Sequence, residues 1–98
     1  MVRMKVYSRG GEVLVAACDS DLVGKKFTEG KLVLDVCDGF YGEKEVTIKV
    51  MLEALAQATI GNLTGKDVVD AAADAGFIDK KCVLEIDGVP HAQICRMG

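Results

Sequence analysis

The chain has 98 residues, half of them apolar, with a formal net charge of −3 and a pI near 5.0. That bounds it to a single domain, 1–98, with a thin core, neither disordered nor basic enough for a non-specific nucleic-acid binder. No apolar run approaches the ~18 residues of a membrane-spanning helix, and no secretory signal opens the chain. The expected compartment is therefore the cytoplasm, with no membrane partner. The four cysteines, Cys18, Cys37, Cys82 and Cys95, form no C-x-x-C pair. They read as small buried hydrophobes in a reducing compartment; a zinc site or disulfides are the alternatives.

The chain opens with Val2 to Arg9, an alternating strand. Gly10-Gly11 reads as a two-residue hairpin turn, and Val13 to Cys18 returns as an almost wholly apolar strand. Counting back from the turn sets Val6 opposite Val15 and Met4 opposite Ala17, which defines a core face. The other face carries Arg3, Lys5, Tyr7 and Arg9 beside Leu14, Ala16 and Cys18. It is mixed, so another element is expected to cover it.

Asp19 to Gly24 reads as a capped turn, and Thr28 to Lys31 as another. Leu32 to Cys37 is a third strand, with Leu32, Leu34 and Val36 on one face. A loop, "DGFYGE", follows. The period then changes to helical, with Thr47 as N-cap and Ile48, Met51, Leu52 and Leu55 on one side. "IGNLTG" reads as the break between two helices. Thr64 to Asp67 has the pattern of a capping box opening the second, which Gly76 closes with a left-handed cap. Cys82–Ile86 and Pro90–Met97 form a closing hairpin. The order is β-β-β-α-α-β-β. That predicts an α+β fold, a largely antiparallel sheet with two helices on one face.

The closing hairpin contains the only proline and the only histidine, in "IDGVPHAQIC". A strict two-residue Asp87-Gly88 turn sets His91 opposite Leu84 and on the apolar face. A three-residue loop slips the register by one and pairs Pro90 with Ile86 and Ala92 with Leu84. It also sets His91 against Glu85. Apolar pairing favours the slipped register. It makes His91 and Glu85 the candidate catalytic pair, the carboxylate orienting the imidazole as a general base. Pro90 would then mark an edge strand.

Phe40 and Tyr41 lie in a glycine-flanked loop, where the Phe is expected under the core and the Tyr at the rim. Asn62 either ties a turn or meets a ligand. Together His91, Gln93, Phe40, Tyr41 and Asn62 are the candidate ligand-binding set. Arg3, Lys5, Tyr7 and Arg9 form a basic stripe suited to phosphate or a partner. Turn chemistry accounts for Asp19, Asp21 and Asp38, and no metal site or cofactor is expected.

"MKVYSRGGEVLVAACDSDLVGKKF", "FYGE", "ATIGNLTG" and "GVPHAQI" occur in that order. Together they resemble a family of small, mainly archaeal proteins catalogued as domain of unknown function 424. The one mild departure is Gly61, where the family pattern has alanine before the asparagine. The resemblance implies an archaeal cytosolic protein and no particular activity. It places Phe40, Tyr41, Asn62, Pro90, His91 and Gln93 in a shared pattern. The functional expectation is a non-enzymatic binding module for RNA, a protein partner or a small ligand. The alternative is a small enzyme or metabolite-binding protein using His91 with Glu85. A homodimer through a free sheet edge is a third reading.

Overall fold

The computed structural model describes residues 1–95. The fold is α+β. Among the described residues eight strands are β1 (Val2–Arg9), β2 (Glu12–Asp19), β3 (Lys26–Glu29), β4 (Leu32–Asp35), β5 (Glu45–Val46), β6 (Ile60–Thr64), β7 (Leu84–Ile86) and β8 (Val89–Cys95). Three helices are α1 (Asp38–Tyr41), α2 (Ile48–Ala56) and α3 (Lys66–Asp74). Six strands make the main sheet in the order β5-β1-β2-β6-β8-β7, and β3 and β4 pair apart from it as an arm. Every pairing is antiparallel except β2 with β6.

The β1–β2 hairpin has the register set by its glycine turn, with Val6 opposite Val15 and Met4 opposite Ala17. Both turn glycines have positive φ, which suits the twist of a two-residue hairpin. One sheet face carries Val2, Val15, Ala17, Leu63, Ala92 and Ile94, and α2 and α3 bury it with Met51, Leu55, Val68 and Ala72. The two-helix layer is as expected. Thr47 caps α2 by accepting from the Val50 N–H at 3.2 Å. Past the end of α3, Gly76 donates to Ala73 and Phe77 to Ala72, the paired bonds of a glycine-closed helix end.

The segment "IGNLTG" departs from the expected turn. Ile60–Thr64 is a central strand, parallel to β2 and antiparallel to β8. Its turn-forming residues have other causes. A Cβ on Gly61 would lie 3.2 Å from the Ile94 side chain, so glycine lets β6 and β8 pack closely. The capping box is also replaced. Gly65 is the N-cap of α3, and Asp19 at the end of β2 accepts from the Asp67 and Val68 N–H groups at 3.1 and 3.0 Å. Gly65 has φ +109°, and a Cβ there would fall 2.4 Å from the Asp19 carboxyl carbon.

The third expected strand, Leu32 to Cys37, forms as Leu32–Asp35, but not as part of the main sheet. Leu32–Asp35 pairs with Lys26–Glu29, not with the main sheet. The arm hangs from a short waist, with Gly24 donating to Val36 at 2.7 Å and Val36 to Lys25 at 2.9 Å. It lies over the second sheet face. There Leu34 and Val36 join Ala16, Cys18, Tyr41 and Ile86 in a second apolar cluster. Of the cysteines only Cys18 is buried; Cys37, Cys82 and Cys95 are exposed, and all four are free thiols.

The closing hairpin takes the strict register. Leu84 faces His91, Glu85 faces Pro90 and Ile86 faces Val89. Asp87 and Gly88 both have positive φ, 53° and 79°, so the Asp-Gly signal governs the turn. The Glu85–His91 pair therefore does not form. Strand β8 is interior, and Pro90 marks a boundary of another kind. Gly65 donates to the Pro90 carbonyl at 2.9 Å, and proline has no N–H to return. The Gly65 carbonyl accepts instead from Val69 at 2.9 Å, the first bond of α3. Proline ends the β6–β8 ladder where the helix begins. The part of the hairpin assigned beyond Cys95 lies outside the described residues.

Candidate functional site

The candidate site is built on the second sheet face, where β6, β8 and β7 meet the arm. Thr64 and His91 are cross-strand neighbours, as are Asn62 and Gln93. All four side chains share this face with Ala16 and Cys18 of β2. Tyr41, the last residue of α1, comes down on them and is 3% exposed. The Phe-under, Tyr-at-rim expectation is thus reversed. The Tyr41 ring packs in the second cluster, and its hydroxyl finds partners there. It donates to Asn62 Oδ1 at 2.8 Å and lies 2.8 Å from Thr64 Oγ1. Thr64, fully buried, is 2.9 Å from His91 Nδ1. Four residues from three elements form one chain: Asn62, Tyr41, Thr64, His91.

Phe40 stays half-buried. It stacks on Tyr7 with ring centroids 5.7 Å apart and meets Tyr41 edge-on at 5.0 Å. The expected basic stripe holds this loop down. Tyr7 Oη donates to the Phe40 carbonyl at 2.6 Å, Lys5 Nζ to Gly39 at 3.3 Å, and Arg3 Nη1 to Gly42 at 3.2 Å. Arg3 Nε faces Glu45 at 3.9 Å, and Lys5 Nζ sits 5.1 Å above the Tyr7 ring. Arg9 lies exposed near the hairpin end and lines a separate shallow hollow with Tyr7. The stripe is a clamp on α1 through Arg3, Lys5 and Tyr7, while Arg3 Nε is buried without a hydrogen-bond partner among the described residues.

Burial pushes the His91 imidazole below its ordinary pKa, favouring the neutral ring. Nδ1 is occupied. Nε2 bonds to no described residue and is not sealed from solvent. His91 lines a groove of about 420 Å³ between the arm and β7–β8. The floor carries His91 and Gln93; the walls include Leu32, Val33, Leu84 and Ile86. Leu32, Val33 and Leu84 are 44%, 57% and 47% exposed, which is high for side chains of their size. A wider hollow of about 640 Å³ lies along β1 beside Gly39 and Gly42. Its Lys5 ammonium and the Gly39 carbonyl bond each other.

Glu85 lies on the opposite face, in a different hollow with Lys66, Val69 and Lys80. Cys18 is buried, and burial with the Asp19 carboxylate beside it raises its thiol to about 12, too high for a nucleophile. Among the described residues no cluster of three or more His, Cys, Asp or Glu side chains is placed to hold a metal. No helix among them is long and apolar enough to cross a membrane. Sequence reasoning found His91, Gln93, Tyr41 and Asn62 but missed Thr64, the link between them. Its signal was present: a threonine beside an asparagine two residues back, which is a strand alternation once the segment is not read as a turn.

No curated protein matches the chain. Among solved structures, it is similar to the crystal structure of an uncharacterised conserved protein from Methanopyrus kandleri. The two are 25% identical with a TM-score of 0.79, over 99% of this chain and 95% of that one. The family model described as protein of unknown function, DUF424, matches residues 7–97. That span takes in β1 from Tyr7 onward, the arm, Tyr41, Asn62, Thr64 and His91, and the chain belongs to the DUF424 family.

Proposed function

We propose that the protein is a non-enzymatic binding module for a small ligand, held in the groove between the arm and β7–β8. The carrying observation is that His91, with only Nδ1 bonded among the described residues, and Gln93 line a groove walled by exposed Leu32, Val33 and Leu84. A concave site with apolar walls and a few fixed polar groups is the usual form of a small-molecule site. The buried chain behind His91 supports this reading, because it fixes the ring at the cost of burying polar groups that a purely structural sheet has no use for. The general-base alternative has lost its carboxylate, since Glu85 is on the other face. A phosphate-binding face on Arg3, Lys5 and Tyr7 is weakened by their bonds to the α1 loop.

The test is to equilibrate wild-type and Leu84→Glu protein with a small-molecule extract of the native cell. Mass spectrometry reads what is retained, and amide spectra read where it sits. The expected result is a compound kept by the wild type, lost by the variant, and shifting Gln93, Leu84 and Leu32. If nothing is retained and no groove amide moves, the groove is not the binding site.

A further inference from the structure

We infer that Asn62, acting through Tyr41 and Thr64, holds His91 with its ring proton on Nδ1, and so assigns the groove to ligands that present an N–H or O–H donor to Nε2. The inference rests on the small-ligand reading of the groove and adds the polarity of what it takes.

The argument is a count of protons along the chain. A phenol has one O–H, and Tyr41 gives it to Asn62 Oδ1. Its 2.8 Å contact with Thr64 then has Tyr41 as acceptor, so Thr64 spends its own single O–H there. The 2.9 Å contact between Thr64 Oγ1 and His91 Nδ1 is left needing a donor, and only the ring can supply it. Nδ1 therefore carries the proton of the neutral imidazole, and Nε2 carries a lone pair. Each step is forced by the one before, and the whole is set by which atom Asn62 turns toward Tyr41. Asn62 touches no ligand in this scheme; it is a positioning residue.

A lone pair facing the groove accepts a hydrogen bond and repels another acceptor. Gln93 offers both a carbonyl and an NH₂, so it does not discriminate. The leucine and valine walls call for an apolar body. The fitting ligand is a compact apolar molecule with a neutral or cationic N–H or O–H at one end. A carboxylate or phosphate presents acceptors where an acceptor already stands.

Two measurements on the whole chain test this. Ring ¹⁵N spectra of His91 at pH 8 report the tautomer without any ligand. The expected spectrum has Nδ1 protonated and Nε2 bare. Asn62→Asp, whose carboxylate only accepts, should keep that tautomer; Asn62→Leu and Thr64→Val should let the two tautomers mix. Should Asn62→Leu fail to fold, the wild type and Asn62→Asp decide alone. A protonated Nε2 in the wild type overturns the inference. Indole, 1-methylindole and butyrate are then titrated and followed by amide shifts of Gln93 and Leu84. Indole should bind about tenfold more tightly than 1-methylindole, which lacks the donor, and butyrate more weakly still. A preference for butyrate or 1-methylindole overturns the ligand class while leaving the groove as a site. If the tautomer is as stated but none of the three binds, the groove reading and the ligand class fall together and only the proton assignment stands.

Discussion

The two faces of the sheet solve different problems. The helix-covered face is filled with Val, Leu, Ala and Met and has one task, the exclusion of water. The arm-covered face mixes Ala16, Cys18 and Ile86 with Asn62, Thr64 and His91, and is covered by short pieces from distant parts of the chain. The difference teaches where stability and specificity reside. Apolar burial is tolerant of detail, whereas a buried polar chain holds only if each donor meets an acceptor.

The comparison breaks most visibly under truncation. Leu63 is fully buried on β6 against the helices, so Leu63→Ala should cost about 2–5 kcal/mol in chemical denaturation, with the groove otherwise unchanged. Next is Asp19→Ala, which strips the Asp67 and Val68 N–H groups of their acceptor. It should cost about 1–3 kcal/mol, and an equal loss from Asp21→Ala would show that the capping geometry is not its cause. On the other face, Tyr41→Phe keeps the ring but leaves Thr64 and Asn62 without its hydroxyl. About 1–2 kcal/mol should be lost, with shifts at His91; a silent substitution would mean the chain is not formed.

The faces also differ in their response to pH. His91 has a folded pKa below its ordinary 6.5. Between the two values the unfolded state binds the proton and the folded state does not, so stability rises with pH there and is complete above about 6.5. Denaturation midpoints should fall as pH drops below 6.5, and His91→Gln should flatten that slope. Asp19, whose burial raises its carboxyl pKa, acts in the opposite sense at lower pH, so the difference between wild type and variant isolates the histidine. The smallest effect belongs to the arm tip. Val33→Ser should change stability by no more than about 0.5 kcal/mol while weakening whatever the groove holds.

The helix face was legible in the sequence because its signals are local. Gly10-Gly11 fixed the first register, and apolar spacing with Thr47 and Gly76 fixed the helices. The arm face was not, because its pairings are remote. Strand β6 finds its partner β2, 46 residues earlier, in a parallel match that leaves no turn to read. Its glycine, asparagine and threonine therefore looked like punctuation. The hairpin register went astray for a related reason. Apolar pairing favours the slipped register only if a polar His91 cannot share a face with Leu84 and Ile86, yet Thr64 bonds its ring from the next strand. Phe40 and Tyr41 exchanged places because only the phenol has a hydroxyl to answer Thr64. The set His91, Gln93, Tyr41 and Asn62 was nonetheless visible as chemistry before it was visible as geometry.

Asp19 stands at the end of a central strand, directly after the buried Cys18 of the arm face, and its oxygens hold the start of the helix layer. Lifting α3 would strand a carboxylate in the interior and open both layers at that corner. Helix detachment as a separate, low-energy excursion is thereby discouraged. The amides of Asp67 and Val68 should then exchange with solvent only as slowly as the molecule unfolds as a whole.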